Sequence, residues 1–258
     1  MSTIDLQIED SVAIISLNRQ EKFNSFNREM SAELLKVLNE IKNRKEIRCV
    51  VLTGNGKAFC AGQDLVEAID VNGPGLESIL KDGYNPLIRA MRALPLPIVC
   101  AVNGVAAGAG ANIALACDII VASENASFIQ AFTKIGLIPD SGGTYFLPKI
   151  IGTHRAMSQM LLADKVTASE AKEIGLVYEV YKVETFTSDY LTLAKRLANM
   201  PTQALAFTKQ AIYSGWNNTL DEQLNLELEL QIKAGQTEDH QEGITAFLEK
   251  RSPEFKGR

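Results

Sequence analysis

The stretch Ile98–Ala122, IVCAVNGVAAGAGANIALACDIIVA, decides the fold of this chain. It is apolar almost throughout and long enough to suggest a membrane span. It even contains Gly104-x-x-x-Gly108, a spacing that packs transmembrane helices. However, Asn103, Asn112 and Asp118 interrupt it, and glycines cluster in its middle. Polar side chains are costly in lipid, so the membrane reading is set aside. The stretch reads instead as a buried strand (98–102), a turn at Asn103-Gly104, a buried helix (about 108–116) and a second strand (118–122). Strands joined by long crossovers predict an α/β fold.

Working outward from it, the N-terminal side alternates. Ile4, Leu6 and Ile8 precede Glu9-Asp10-Ser11, and Val12–Leu17 follows, which predicts a β-hairpin. Asn27 is a candidate N-cap for a helix to about Arg44, with Met30, Leu34, Val37, Leu38 and Ile41 at helical spacing. Arg48–Thr53 (RCVVLT) reads as a short buried strand, and Leu76–Ala93 as a helix stopped by Leu94-Pro95-Leu96-Pro97. Beyond Gly136 the chain is mainly helical. The expected organisation is a core over 1–200 and an all-helical C-terminal region over 201–258.

With 258 residues, 46% of them hydrophobic, the chain can bury a large core, and its 22% charged content argues against global disorder. A formal net charge of −5 argues against a nucleic-acid partner. Cys49, Cys60, Cys100 and Cys117 lack C-x-x-C spacing, so zinc and disulfides are not expected. Buried, reduced thiols in a cytoplasmic protein are. His154 and His240 are the two histidines, too few for a multi-histidine metal site or a serine-histidine hydrolase framework. Met1–Asp10 has neither the basic nor the apolar segment of a signal peptide.

Three segments carry candidate chemistry. Lys57-Ala-Phe-Cys-Ala-Gly-Gln-Asp64-Leu65 leaves a buried strand with small residues that let a ligand approach backbone N–H groups; an ordinary turn is the plainer reading. Asn103–Ala111 (NGVAAGAGA) also leaves a strand and opens a helix, whose free N–H groups suit an oxyanion or phosphate. It is neither a Walker A loop nor G-x-G-x-x-G, and tight helix packing alone accounts for its small residues. Asp140, in Ile135-Gly-Leu-Ile-Pro-Asp-Ser-Gly-Gly-Thr144, lies in an apolar context before Tyr145-Phe146-Leu147. It is either a helix N-cap or an acid/base group. Trp216, Phe132 and Tyr145 are candidates for an acyl pocket or for core packing.

Taken in this order and spacing, these segments resemble the crotonase, or enoyl-CoA hydratase/isomerase, superfamily. The resemblance extends through Leu17-Asn18-Arg19 with Asn24, the turn Ala171–Val177, and Gly243–Phe255 (GITAFLEKRSPEF), and so covers nearly the whole chain. It implies a spiral of β-β-α turns, a helical C-terminal trimerisation region, and a homotrimer or dimer of trimers. It implies an acyl-coenzyme A thioester as substrate, with coenzyme A part of that substrate, and neither cofactor nor metal. The thioester oxygen is expected on the backbone N–H groups of Gln63 and Ala109, and Ala61, Asp64, Leu65 and Val66 are expected beside the ligand. Lys22 and Lys57 are candidate phosphate contacts. Family hydratases place two glutamates where this chain has Asn112 and Phe132, so hydration by that route is not expected. Asp140 matches the aspartate of certain family isomerases, and Gly104–Pro148 looks most like those that open the ring 1,2-epoxide of an aromatic acyl-CoA. A hydratase, a dehalogenase with a nucleophilic aspartate, and a non-catalytic acyl-CoA or RNA binder are the alternatives. The dehalogenase needs a histidine that is hard to supply here.

Overall fold

A computed structural model describes residues 2–258. The predicted hairpin forms from β1 (Ile4–Glu9) and β2 (Val12–Leu17), with Glu9 opposite Val12. Asp10 and Ser11 both take positive φ, 45° and 65°, as a two-residue turn matched to strand twist requires. Next come β3 (Cys49–Gly54), β4 (Ala58–Cys60), β5 (Ile98–Val102), β6 (Val105–Ala107), β7 (Ile119–Ser123), β8 (Ser127–Ile129), β9 (Lys165–Thr167) and β10 (Glu179–Tyr181).

These strands form two sheets, ordered β1-β2-β3-β5-β7-β10 and β4-β6-β8-β9. Successive turns of the chain place one strand in each sheet, first β3 and β4, then β5 and β6, then β7 and β8. All pairs but β1–β2 and β8–β9 are parallel. This is the expected spiral. The large sheet is covered on both faces, which is why its strands read as unbroken apolar runs. Leu52, Cys100, Val102 and Ala122 point into the main core; Cys49, Val51, Val99 and Val121 pack under Phe186, Tyr190 and Ala194 of the helix Phe186–Ala198. All four cysteines are buried.

The small sheet and β10 escaped the sequence pattern because each of those strands is three residues long, too short to show a period of two. The segments read as loops therefore begin with β4 and β6. The predicted helix 76–93 also differs. It runs from Gly75 to Ala93, but Ile79–Tyr84 is wound as a π-helical turn. Pro86 follows at once; it lacks the N–H for an i→i−4 bond and its ring crowds that carbonyl, so the wider turn relieves the conflict.

The C-terminal segment consists of helices Thr202–Gly215, Leu220–Gly235 and Glu238–Glu249. Two anchors fix it to the sheets. Arg48 donates to Thr202 Oγ1 (2.8 Å) and to the carbonyls of Met200 (2.6 Å) and Phe255 (2.8 Å). Asp118, just before β7, accepts from Ile98 N (2.8 Å), Lys209 Nζ (2.8 Å) and the Tyr213 hydroxyl. Trp216 packs edge-on or tilted against Tyr145, Phe146 and Tyr213 around the Arg92 guanidinium, which assigns Trp216 and Tyr145 to packing between this segment and the spiral.

Lys209 and Asp118 are almost buried, with side-chain exposures of 9% and 14%. Lys209→Ala leaves a buried carboxylate short of its cation and should cost about 3 kcal/mol, read as a lowered melting temperature. Lys36→Ala, which removes an exposed partner of Glu40, should stay within about 0.5 kcal/mol.

Candidate active site

The parallel pairing of β4 with β6 aligns Ala58 with Val105 and Cys60 with Ala106. The two chains therefore leave the small sheet side by side, one into Ala61-Gly62-Gln63 and the other into Gly108-Ala109. A side chain at Gly62 would stand 3.0 Å from the Ala107 carbonyl and 3.6 Å from Ala109 N, and the φ of Gly62 is +98°. Gly110 is held as closely, since a Cβ there would meet Cys60 at 2.5–2.7 Å. Glycine at both positions permits the approach of the two exits.

Both expected N–H donors are free. Gln63 forms a parallel bridge with Phe26, in which Phe26 N donates to Gly62 O and Asp64 N donates to Phe26 O, each at 2.7 Å. Alternation along an extended chain then turns the N–H of Gln63 to the opposite side. Ala109 opens the helix Ala109–Leu115, so its N–H has no intrahelical acceptor. Neither amide donates to any group among the described residues. Two unspent donors, with a helix dipole behind one of them, are suited to negative charge on an oxygen.

Asp140 joins this pair through the same helix. Asn112, fully buried, donates from Nδ2 to the Asp140 carbonyl (2.8 Å) and accepts at Oδ1 from Gln130 Nε2 (2.8 Å). Gly143 N donates to the same carbonyl (2.8 Å). Ser141 and Gly142 adopt left-handed backbone, φ 50° and 79°, which turns the chain sharply after Asp140. The helix Gly143–Ile151 has Gly142 as its N-cap and no side-chain cap, so the capping alternative for Asp140 does not hold. The Asp140 carboxylate accepts from Ser141 Oγ (2.9 Å). Burial raises its pKa above the ordinary carboxylate range, and the Ser141 bond offsets part of that rise.

The structural neighbours decide the family. The enoyl-CoA hydratase/isomerase family model matches residues 7–258. The chain belongs to the enoyl-CoA hydratase/isomerase family. It is 47% identical to the 1,2-epoxyphenylacetyl-CoA isomerase of Escherichia coli K12 over 261 residues, covering all of both chains. It is 46% identical to a Rhodobacter capsulatus protein named "probable enoyl-CoA hydratase", covering 99% of this chain and 98% of that one. The crystal structure of an enoyl-CoA hydratase/isomerase from Mycobacterium abscessus superposes with a TM-score of 0.93 at 36% identity, over 99% of this chain and 100% of the other.

Neither Asn112 nor Phe132, the two positions that the resemblance matches to hydratase glutamates, has a side chain that titrates. Phe132 is buried with its ring about 3.9 Å from where a Gly108 side chain would begin, hard against the start of the helix that carries the Ala109 amide. Asp64 is bound elsewhere. Burial would raise its pKa, but Arg19 (2.9 Å) and the Val66 N–H (3.1 Å) lower it below the usual range. Its carboxylate therefore clamps the loop. Leu65 and Val66 are exposed, as are Ala61, Lys22 and Lys57. Ile138, two residues before Asp140, is 80% exposed. The sequence did not flag Arg19–Asp64 as a clamp, Gln130 as the support of Asn112, or Tyr84, whose hydroxyl meets Gln63 Oε1 at 2.9 Å.

The raised pKa of Asp140 has a consequence for stability. The penalty for its charged form is absent below the unfolded carboxylate pKa and complete above the folded one. Asp140→Asn should therefore raise the melting temperature at pH 7, and that gain should vanish as pH falls through the Asp140 titration. Thermal unfolding of both proteins across pH 4–8 checks the sign.

Proposed function

We propose that the protein is an acyl-CoA isomerase in which Asp140 moves the proton and the Gln63 and Ala109 amides hold the thioester enolate. The observation that carries this reading is the half-buried Asp140 carboxylate with its raised pKa, fastened by Asn112 to the same helix whose first amide is unspent. Asp140 takes a proton from the carbon next to the thioester. The electron pair moves onto the carbonyl oxygen, where the two N–H groups meet the charge. Asp140 returns the proton to another carbon of the conjugated anion, so a 3-enoyl thioester becomes a 2-enoyl one with no oxidant or water consumed. On a ring 1,2-epoxyphenylacetyl thioester the same removal and return accompany ring expansion to an oxepin. The 47% identity to the E. coli isomerase supports this substrate. Relatives named as hydratases keep hydration as the alternative.

We further propose that Lys22 and Lys57 contact the coenzyme A phosphates, and that the helical C-terminal segment joins subunits into a trimer or a dimer of trimers. Ile212, Leu224, Leu228 and Ile232 form an exposed apolar stripe on its helices, more than a solvated appendage carries. A monomeric mass in light scattering at micromolar concentration would refute the assembly.

Asp140→Asn should reduce isomerase turnover about 10²–10⁴-fold while thioester affinity, measured by titration calorimetry, is largely kept. Near-wild-type turnover would end the claim. In the wild type, kcat/KM should fall as pH drops through the Asp140 pKa, with a midpoint above the ordinary carboxylate value of about 4. Hydration of crotonyl-CoA should be slow beside isomerisation of 3-enoyl or ring-epoxide thioesters. Comparable turnover numbers for the two would refute the assignment of Asn112 and Phe132.

A further inference from the structure

We infer that Tyr84 is a positioning residue for the oxyanion site, acting through the side chain of Gln63. The inference rests on the assignment of the Gln63 amide to the thioester oxygen. Three observations converge on this tyrosine.

Tyr84 touches both partners of the bridge that aims Gln63. Its hydroxyl donates to Gln63 Oε1 at 2.9 Å, and its ring lies 5.8 Å from that of Phe26, centroid to centroid. Gln63 Nε2 in turn donates to Glu67 Oε2 (3.2 Å), and the Glu67 carboxylate accepts from Arg28 N, the first amide of the helix Arg28–Lys42. The Gln63 side chain is thus strung between a buried hydroxyl and an anchored carboxylate.

Packing does not do this work. A cavity of about 350 Å³ lies beside Gln63, bounded also by Tyr84, Ser31 and Asp82. The buried Ser31 hydroxyl at its edge has no hydrogen-bond partner among the described residues. With open space on that side, directional bonds rather than contact hold Gln63 in place. A displacement near 1 Å is enough to weaken a preorganised donor.

Tyr84 is also the last residue of the π-helical turn Ile79–Tyr84. A wide turn advances the following residue differently from an α-turn, and such bulges recur at functional sites. Here the turn sets Tyr84, 2% exposed, against the loop from a helix that also buries Ile79, Leu87 and Met91. Burial holds its pKa well above the usual value, so the hydroxyl stays a donor across the working pH range.

Tyr84→Phe keeps the ring against Phe26 and removes the hydroxyl alone. The test reads the thioester carbonyl directly, by infrared difference spectroscopy of bound [1-¹³C]hexanoyl-CoA, a saturated thioester that Asp140 cannot isomerise. Wild type and Asp140→Asn should both lower the carbonyl frequency relative to free ligand. Tyr84→Phe should return it toward the free value and reduce isomerase kcat about 10–100-fold, with KM changed far less. Gln63→Leu keeps the backbone amide and should match it, and the double variant should be no worse than either single one. A wild-type carbonyl frequency in Tyr84→Phe, or independent losses that multiply in the double variant, would overturn the inference. An unshifted carbonyl in the wild type would overturn both this inference and the assignment of the two amides. Turnover retained in Asp140→Asn with the carbonyl shift intact would sink the proton-shuttle reading alone.

Discussion

Parallel pairing between Ala58–Cys60 and Val105–Ala107 brings two chain exits together, and the placement of the two free amides follows from that adjacency. Six residues are too few to stabilise a sheet on their own. The large sheet supplies the rigidity, since β3 and β5 pair in parallel just upstream and fix the spacing at which the two exits begin. The close approach then needs Gly62 and Gly110, because a methyl group at either would meet neighbouring backbone or Cys60. The free amides of Gln63 and Ala109 are left over from this geometry, one by strand alternation and one by its place at a helix start.

Three aspartates in and near the motif segments divide by how fully they are satisfied. Asp118 has a lysine, a tyrosine hydroxyl and a backbone amide. Asp64 has an arginine and a helix-start amide. Asp140 has one serine hydroxyl in a half-buried position. A carboxylate left this poorly compensated costs stability in its charged form. The bonds around Asp140 go instead to its backbone carbonyl, which fixes where the carboxyl group sits without neutralising it.

The sequence carried the parts of this fold that repeat over many residues. The hairpin, the helix capped by Asn27 and the strands at 49–54, 98–102 and 119–123 all show a period or an unbroken apolar run, and each formed within a residue or two of its expected bounds. The small sheet was illegible because three residues such as Ser127–Ile129 display no period, and its existence depends on pairing across distant segments. The three motif segments were visible as clusters of small residues, but their convergence came from family resemblance rather than spacing. Tyr84 carried no local signal. In the sequence it is one more apolar position in a helix, and its link to Gln63 depends on a π-helical turn that Pro86 explains only once the backbone is seen.

The small sheet ends differently from the way it grows. Its first three strands run the same way, but β9 is antiparallel to β8 and only three residues long. Reversal of direction means that another turn of the coil cannot be added in the same register. The large sheet is blunted too, with β10 equally short and β1 carrying Asp5, Gln7 and Glu9 along its edge. Coiled folds with open ends are templates for end-to-end polymerisation, and terminal turns that break the pattern prevent it. This chain therefore keeps its sheets from recruiting strands of other molecules, and leaves its helical faces as the surfaces through which it can meet a neighbour.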